Sequence, residues 1–178
     1  MRLSIFGAAS LVLVGLLASP ALGQEVVREE VDGIRNFARL GTTIACSGAI
    51  TTNAIPEIAE MGFASIINLR RATEEGANVE AEAAAVAATG MNYFHIPYDG
   101  SADPAVAEQF LDAITSEGAE PAFVHCAGGN RAATMWLVKR IAIDHWDVER
   151  ATEEAIALGQ SSEASRQFAV EYGQAHQR

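Results

Sequence analysis

One short loop of the sequence carries a cysteine and an arginine close enough together to act on the same small anion. Cys126 and Arg131 lie between an apolar segment, residues 121–124, and a segment whose apolar residues recur with helical spacing after residue 134. This pattern predicts that a buried strand ends just before Cys126 and that a helix begins near Arg131. The free N–H groups and positive dipole of a helix start stabilise an anion, which predicts a thiolate-rich, nucleophilic Cys126.

The residues that separate the cysteine from Arg131 fit a loop that wraps around an anion. Gly128 and Gly129 allow successive backbone N–H groups to turn inward, and the planar guanidinium of Arg131 can hold an oxyanion through two parallel hydrogen bonds. A buried structural cysteine followed by a helix-capping Asn130 is the alternative. The presence of His125, two glycines and an arginine in one loop favours the anion site.

These residues resemble the signature loop of a known superfamily. His125-Cys126, Gly129 and Arg131 are similar to the loop of the cysteine phosphatases, in particular the dual-specificity type. Ile66-Ile67-Asn68-Leu69-Arg70 and His95-Ile96-Pro97 resemble a bacterial subgroup of that fold, the phosphatase-like domain that accompanies beta-lactamase-like hydrolases. The resemblance extends over residues 36–159 and implies an α/β fold of the cysteine-phosphatase type, with a mainly parallel central sheet flanked by helices.

The resemblance also implies a role for the residues of the site. Cys126 is expected to be the nucleophile, Arg131 the anion-binding residue, and Asp99 the general acid in the loop after a strand at residues 92–96. His125 is expected to orient the loop and to help keep the cysteine ionised. The expected anion-binding loop comprises His125, Ala127, Gly128, Gly129 and Asn130. By the same resemblance, Ser47-Gly48 is expected to form a turn close to the site.

Two departures from the phosphatase pattern favour sulfur chemistry. Only Ala127, Gly128, Gly129 and Asn130 separate Cys126 from Arg131, whereas the phosphatase signature has one residue more at this place. The shorter spacing resembles that of the rhodanese-type sulfurtransferases. The position after Arg131, where phosphatases usually carry Ser or Thr, is Ala132.

These observations predict a cysteine-thiolate enzyme that transfers sulfane sulfur through a persulfide on Cys126. Two alternatives stay open: hydrolysis of phosphate monoesters through a cysteinyl-phosphate, and an inactive module that binds an anion in the loop. In each case the expected partner is a small anionic molecule, namely a thiosulfonate, a persulfide or a phosphate ester. None of these reactions requires a cofactor.

Several other polar residues have structural explanations that compete with functional ones. Asp99 stands before Gly100, as in a turn, and Asp103 stands before Pro104, as in a helix cap. His95 and Tyr98 could line a pocket at the same sheet edge, although packing is the usual role of such residues. No pair of His or carboxylate residues has the spacing of metal ligands, so no metal site is predicted.

The first 23 residues have the organisation of a secretory signal peptide. Arg2 is followed by an apolar run too short to span a bilayer comfortably, and then by small residues up to Gly23. We expect cleavage after Gly23 and a periplasmic or secreted product, with no membrane attachment after cleavage; an uncleaved anchor is the alternative. Residues 24–178 are enough for a single domain.

The charge of the chain bears on its partners. The net charge of −11 and the lack of a basic patch argue against nucleic acid as a ligand. An anionic substrate must therefore be attracted by local positive groups against the overall field. The oligomeric state is left open by the sequence.

The remaining pattern alternates strands with helices, which predicts a sheet whose ligands bind at the carboxyl ends of the strands. Strands are expected within residues 39–46, 63–69 and 92–96, and an alanine-rich helix over residues 74–89. The chain has two cysteines, Cys46 and Cys126. In an oxidising compartment they could form a disulfide, while a buried free thiol at Cys46 is the alternative.

Overall fold

The computed structural model describes residues 25–178, so the predicted signal peptide, residues 1–23, lies outside the described residues. The strands are β1 (Val26–Val31), β2 (Ile34–Leu40), β3 (Ile44–Ser47), β4 (Ser65–Asn68), β5 (Asn92–His95) and β6 (Ala122–His125). The helices are α1 (Ile55–Glu60), α2 (Val79–Thr89), α3 (Pro104–Ile114), α4 (Asn130–Ala142), α5 (Val148–Ala157) and α6 (Glu163–Ala175). A short 3₁₀ helix, Thr52–Ala54, precedes α1.

The strands form one sheet in the order β1-β2-β3-β6-β4-β5. The four strands β3, β6, β4 and β5 run parallel, while β1 and β2 add two antiparallel pairings at one edge. Parallel neighbours need crossover connections, and the helices that supply them cover both faces of the sheet. The predicted fold class, a mainly parallel sheet flanked by helices, is confirmed.

Strand β6 lies in the interior of the sheet, and its side chains alternate between the two faces. Ala122 and Val124 pack in the hydrophobic core that contains residues of α3, α4 and α6, and Cys126 continues on this face. Phe123 packs in the second core with residues of α1 and α2, and His125 continues on that face. The end of β6 therefore sends the two adjacent residues His125 and Cys126 to opposite sides.

Side-chain caps fix the starts of several helices. The side chain of Asp103 accepts hydrogen bonds from Ala105 N at 2.9 Å and Val106 N at 3.4 Å, so the cap predicted for α3 is present. Asp147 caps α5 through Arg150 N at 2.9 Å. These contacts fix the positions at which loops leave the sheet and helices begin.

Two parts of the chain differ from the prediction. The alanine-rich helix begins at Val79 and not at residue 74, because Asn78 caps it by accepting from Ala81 N at 3.1 Å. Residues 74–78 form a loop instead, and Glu74 is drawn away to basic partners described below. Strand β1 was not predicted, because its residues 27–30 are exposed and do not alternate between apolar and polar.

We predict that Phe123→Ala lowers the free energy of unfolding by about 3–5 kcal/mol. Phe123 is fully buried, and its ring centroid lies 6.0 Å from that of Phe37 and 5.6 Å from that of Phe63. Urea unfolding at neutral pH measures the change. Val27→Ala, at an exposed position of β1, is the control and should change stability by less than about 0.5 kcal/mol. A loss below about 1 kcal/mol in Phe123→Ala would contradict this description of the core.

Candidate active site

Cys126 is the first residue after β6, and the backbone around it fixes its sulfur. The residue is 1% exposed, and its N–H donates to the carbonyl of Ser47 at 3.2 Å. The N–H of Gly129 lies 3.1 Å from Cys126 Sγ. Gly129 has φ 106°, which side-chain-bearing residues rarely adopt, and α4 begins directly after it. The structure thus places the thiol beside the start of a helix, where N–H groups stabilise negative charge on sulfur.

The segment that follows β3 supports the Cys126 loop from one side. Gly48 and Gly128 form an antiparallel bridge, and Ala49 N donates to Ala127 O at 3.1 Å. A Cβ atom on Gly48 would lie 2.9 Å from Ala127 O, so this close approach requires glycine. Ser47 and Gly48 are therefore near the site as expected, although they extend a strand and do not form a turn.

Asn130 contributes its backbone, and not its side chain, to the loop. Its Oδ1 accepts hydrogen bonds from Ser161 N at 2.7 Å and Ser162 N at 3.0 Å, in the turn before α6. Thr134, the nearest hydroxyl after Arg131, donates to Asn130 O at 2.8 Å and thus bonds within its own helix. No side-chain hydroxyl follows Arg131 directly, because that position is Ala132.

Arg131 is held by Glu74, which lies in the loop between β4 and α2. Nη1 lies 2.7 Å from Glu74 Oε1 and Nη2 lies 2.8 Å from Oε2, so the ion pair is bidentate. Nη1 also donates to the backbone carbonyls of Leu69, at 3.2 Å, and of Tyr98. These contacts leave the Nε–H and one N–H on Nη2 for another acceptor.

The ion pair shifts the pKa of both Glu74 and Arg131. The hydrogen bond from Arg131 lowers the pKa of Glu74 from its usual 4.5 to about 2, against the opposing effect of burial. Burial also opposes the charge of Arg131, but the hydrogen bond with Glu74 and the charge of the nearby Cys126 raise the pKa of the guanidinium. Arg131 is therefore a fixed positive group beside the sulfur.

Arg70 supports this arrangement from the same loop. It is buried, and its guanidinium donates to the carbonyls of Glu75 at 2.5 Å and Gly76 at 3.2 Å. Its Nε lies 3.5 Å from Glu74 Oε2. Arg70 and Glu74 form a salt bridge, and the arginine is a buried support of the loop.

His125 is fully buried and binds a carboxylate on α2. Its Nε2 lies 2.8 Å from Glu82 Oε1, which also accepts from the hydroxyl of Tyr93 at 3.0 Å. Within residues 25–178, the Nδ1 atom of His125 has no hydrogen-bond partner. Burial raises the pKa of Tyr93, and the charge of Glu82 adds to this against the hydrogen bond from Asn68, so the hydroxyl stays a donor.

Asp99, the expected general acid, lies in the loop that contacts Arg131, with its side chain at the surface. Its side chain is exposed and accepts from Ser101 N at 2.9 Å. Hydrogen bonds from Ser101 lower the pKa of Asp99. The following Gly100 contacts the site, since a Cβ there would lie 3.8 Å from Arg131 Cδ.

Two other residues considered from the sequence, His95 and Tyr98, lie close to these loops. Nε2 of His95 lies 2.8 Å from Arg70 O, which ties β5 to the loop after β4. Tyr98 is buried, and burial together with the charge of Asp99 raises the pKa of its phenol to about 12. A cavity of about 160 Å³ lies beside this loop, and Arg71, Tyr98, Asp99 and Asp103 contribute to its lining.

Cys46 and Cys126 are both buried free thiols. The parallel register pairs Cys46 with Val124, two residues before Cys126. From the spacing and rise of strands, residues in this diagonal relation have Cα atoms roughly 8 Å apart, beyond the about 7 Å that a disulfide can bridge without backbone movement. Burial, with the charge of Cys126 adding to it, raises the pKa of Cys46 and keeps it a thiol. The alternative of a buried free thiol thus describes Cys46 in this structure.

Two further features concern the described part of the chain as a whole. Residues 25–178 contain no group of three or more His, Cys, Asp or Glu side chains placed to hold a metal ion. None of the helices in this range combines the length and the apolar character needed to cross a bilayer.

A Cys loop at the end of a central parallel strand, with an arginine in the following helix, defines the class of cysteine-phosphatase-fold proteins. Solved structures agree with this. A DUF442 protein from Shewanella putrefaciens CN-32 matches 82% of this chain and 96% of its own, with a TM-score of 0.66 and 18% identity. TpbA from P. aeruginosa matches 88% of this chain and 92% of its own, with a TM-score of 0.60 and 19% identity.

The chain belongs to the family of the phosphatase-like domain of beta-lactamase hydrolase-like proteins, whose model matches residues 36–143. A beta-lactamase hydrolase-like protein from Agrobacterium fabrum is 35% identical over 106 residues, which are 56% of this chain and 24% of that protein. One from Xylella fastidiosa is 34% identical over 120 residues, which are 65% of this chain and 26% of that protein. The chain thus matches about a quarter of the length of these relatives.

Two acidic residues of the site, Glu74 and Glu82, were not predicted as parts of it. Glu82 lies one helical turn before Val86, and these are the buried residues of α2. That spacing places a carboxylate on the inner face of an alanine-rich helix, which is a signal for a buried polar partner. Glu74 had no comparable local signal, because its partner Arg131 is 57 residues away in the sequence.

We predict that Glu74→Gln lowers the free energy of unfolding at pH 6 by about 1–3 kcal/mol, because charge-assisted hydrogen bonds to Arg131 are lost. A carboxyl whose folded pKa is depressed stabilises the fold above its unfolded pKa and loses this effect as pH falls. The difference in the free energy of unfolding between wild type and Glu74→Gln should therefore become smaller as the pH falls from 4.5 towards about 2.

Urea unfolding of both proteins at several pH values measures this difference. Glu75→Gln is the matched control, since Glu75 is the exposed neighbour in the same loop. It should leave stability within about 0.5 kcal/mol of wild type. A gap between Glu74→Gln and wild type that stays constant down to pH 2.5 would show that the ion pair is not the source of the effect.

Proposed function

We propose that this chain transfers sulfane sulfur from a thiosulfonate or persulfide donor to a thiol acceptor, with Cys126 as the carrier. The observation that supports this most directly is the short loop, in which four residues separate Cys126 from Arg131 and Gly129 N lies 3.1 Å from Cys126 Sγ. A ring of this size suits one extra sulfur atom better than the equatorial oxygens of a phosphoryl group.

The first half of the reaction loads the cysteine. The Cys126 thiolate attacks the outer sulfur of thiosulfate, a new S–S bond forms, and the old S–S bond breaks as sulfite leaves with its electron pair. Arg131 supplies the positive charge that binds anionic thiosulfate. Its Nε–H and the remaining N–H on Nη2 are available to form hydrogen bonds with the thiosulfate oxygens. The fixed ion pair with Glu74 means that little reorganisation is needed when the donor binds.

The second half returns the cysteine to its starting state. An acceptor thiolate attacks the outer sulfur of the persulfide, and the Cys126 thiolate leaves with the electron pair. Neither half needs a strong general acid, because sulfite and thiolate are stable leaving groups. This agrees with an exposed Asp99 whose pKa is lowered, and with Ala132 at the position where phosphatases carry a hydroxyl.

Hydrolysis of phosphate monoesters is the second candidate, and two proteins of this fold are consistent with it. A Cys-to-Ser variant of TpbA was solved with pTyr, and the catalytic domain of the PP-IP phosphatase Siw14 from S. cerevisiae was solved with citrate. In this candidate reaction Arg131 would hold phosphoryl oxygens, and Asp99 would protonate the leaving group. Both candidates share Cys126 as nucleophile and a small anion as substrate.

We also propose that the chain is exported and processed after Gly23, as residues 1–23 suggest. The mass of the chain recovered from the periplasm or medium of an expressing bacterium tests this, and an N-terminus at Gln24 is the expected result. Recovery of the uncleaved chain in the membrane fraction would contradict it.

We predict that the protein converts thiosulfate and a small thiol to sulfite and a persulfide, and that Asp99→Asn changes kcat/KM by less than about twofold. Arg131→Lys should lower kcat/KM for thiosulfate by at least about tenfold, since lysine cannot keep the bidentate pair with Glu74. Sulfite release measures the first product, and parallel assays with an aryl phosphate test the second candidate. Cys126→Ser is the control that should abolish either reaction.

The assays separate the alternatives by their dependence on Asp99. Aryl phosphate hydrolysis that falls strongly in Asp99→Asn, without sulfite release from thiosulfate, would replace sulfur transfer by the phosphatase reaction. Binding of thiosulfate without either reaction, retained in Cys126→Ser, would identify an anion-binding module.

A further inference from the structure

A chain of hydrogen bonds connects the residue before the nucleophile with helix α2 and with two neighbouring strands on the same face of the sheet. His125 Nε2 lies 2.8 Å from Glu82 Oε1, and the hydroxyl of Tyr93 donates to the same oxygen at 3.0 Å. Asn68 Nδ2 then donates to the oxygen of Tyr93 at 3.0 Å. We call Asn68, Tyr93 and Glu82 the relay. Its members come from β4, β5 and α2, and none of them belongs to the Cys126 loop.

The same relay reaches the other reactive residue. Asn68 Oδ1 accepts from Arg70 N at 2.7 Å, and the Arg70 side chain holds the loop that carries Glu74. Glu74 in turn fixes Arg131. Asn68 is therefore connected through Tyr93 and Glu82 to His125, and through Arg70 and Glu74 to Arg131.

A carboxylate in this position is costly unless it has a specific use. Glu82 is 6% exposed on a helix otherwise built largely from alanine, where an apolar residue would avoid the desolvation of a charge. Its two hydrogen bonds restrain the ring of His125. Because His125 and Cys126 are consecutive and point to opposite faces, restraint of the ring fixes the peptide from which the Cys126 loop departs.

We propose that Glu82 is a positioning residue for Cys126, acting through His125 and held in place by Tyr93 and Asn68. The proposal rests on Cys126 being the nucleophile, as proposed above, but not on which of the two reactions it performs. The relay keeps the sulfur at the N–H of Gly129 and so keeps it reactive. The structural reading, that the relay only satisfies buried polar groups, predicts lower stability without a change in the reactivity of Cys126.

Alkylation of Cys126 by iodoacetamide at pH 7, followed by intact mass, measures this reactivity without any enzyme substrate. Tyr93→Phe, which removes only the hydroxyl, should slow alkylation of the folded protein about fivefold, and Glu82→Leu about tenfold or more, from the loss of one and of two hydrogen bonds. Glu82→Gln should remain within about twofold of wild type, because its amide oxygen can still accept from His125 and Tyr93. Cys126→Ser identifies the labelled thiol.

Tyr172→Phe is the matched control, since the Tyr172 hydroxyl likewise donates to a glutamate, Glu108, at 2.8 Å, on helices away from the relay. It should lower the thermal midpoint without slowing alkylation. Equal alkylation rates in wild type, Tyr93→Phe and Glu82→Leu would overturn the proposal and leave the relay a purely structural role. If Glu82→Leu does not fold, Tyr93→Phe alone decides between these results. A wild-type Cys126 that does not react would instead refute its role as nucleophile, and this proposal with it.

Discussion

The alternation of side chains along β6 is the constraint on which the site depends. Because successive residues of a strand point to opposite faces, the last residue, His125, and the first loop residue, Cys126, are anchored in different cores. The Cys126 face is covered by α3, α4 and α6, and the His125 face by α1 and α2. The position of the sulfur is therefore determined by both layers of helices, and not by its loop alone.

Two carboxylates connect these layers to the reactive groups. Glu74 holds the guanidinium of Arg131 from the loop before α2, and Glu82 holds the ring of His125 from α2 itself. In a chain with a net charge of −11, the carboxylate of Glu74 is paired with the guanidinium of Arg131 within the protein. The N–H of Gly129 and the remaining N–H donors of Arg131 then provide the local positive potential that a small anion needs.

The parts of this arrangement that depend on local sequence could be predicted, and the parts that depend on distant contacts could not. The strand before Cys126, the glycine loop and the start of the following helix could be predicted from residues close in the sequence. The helix cap at Asp103 could be predicted in the same way. Glu74 and Glu82 bind partners 57 and 43 residues away. The spacing of Glu82 and Val86 indicates a buried carboxylate but not its partner, and Glu74 has no local signal. Recruitment of Glu74 by Arg131 also explains why the helix expected at residue 74 begins only at Val79. The resemblance to the family could be predicted from the Cys126 loop. The choice between sulfur transfer and phosphate hydrolysis depends on the loop's being one residue shorter than in phosphatases and on Ala132 after Arg131.

The most direct measurement is the intact mass of the reduced protein before and after incubation with thiosulfate, with Cys126→Ser treated in parallel. If Cys126 carries sulfane sulfur, the wild-type protein gains the mass of one sulfur atom, a reducing thiol removes it, and Cys126→Ser gains nothing. An unchanged mass, in a protein whose Cys126 is shown by thiol titration to be free and reactive, would contradict sulfur transfer.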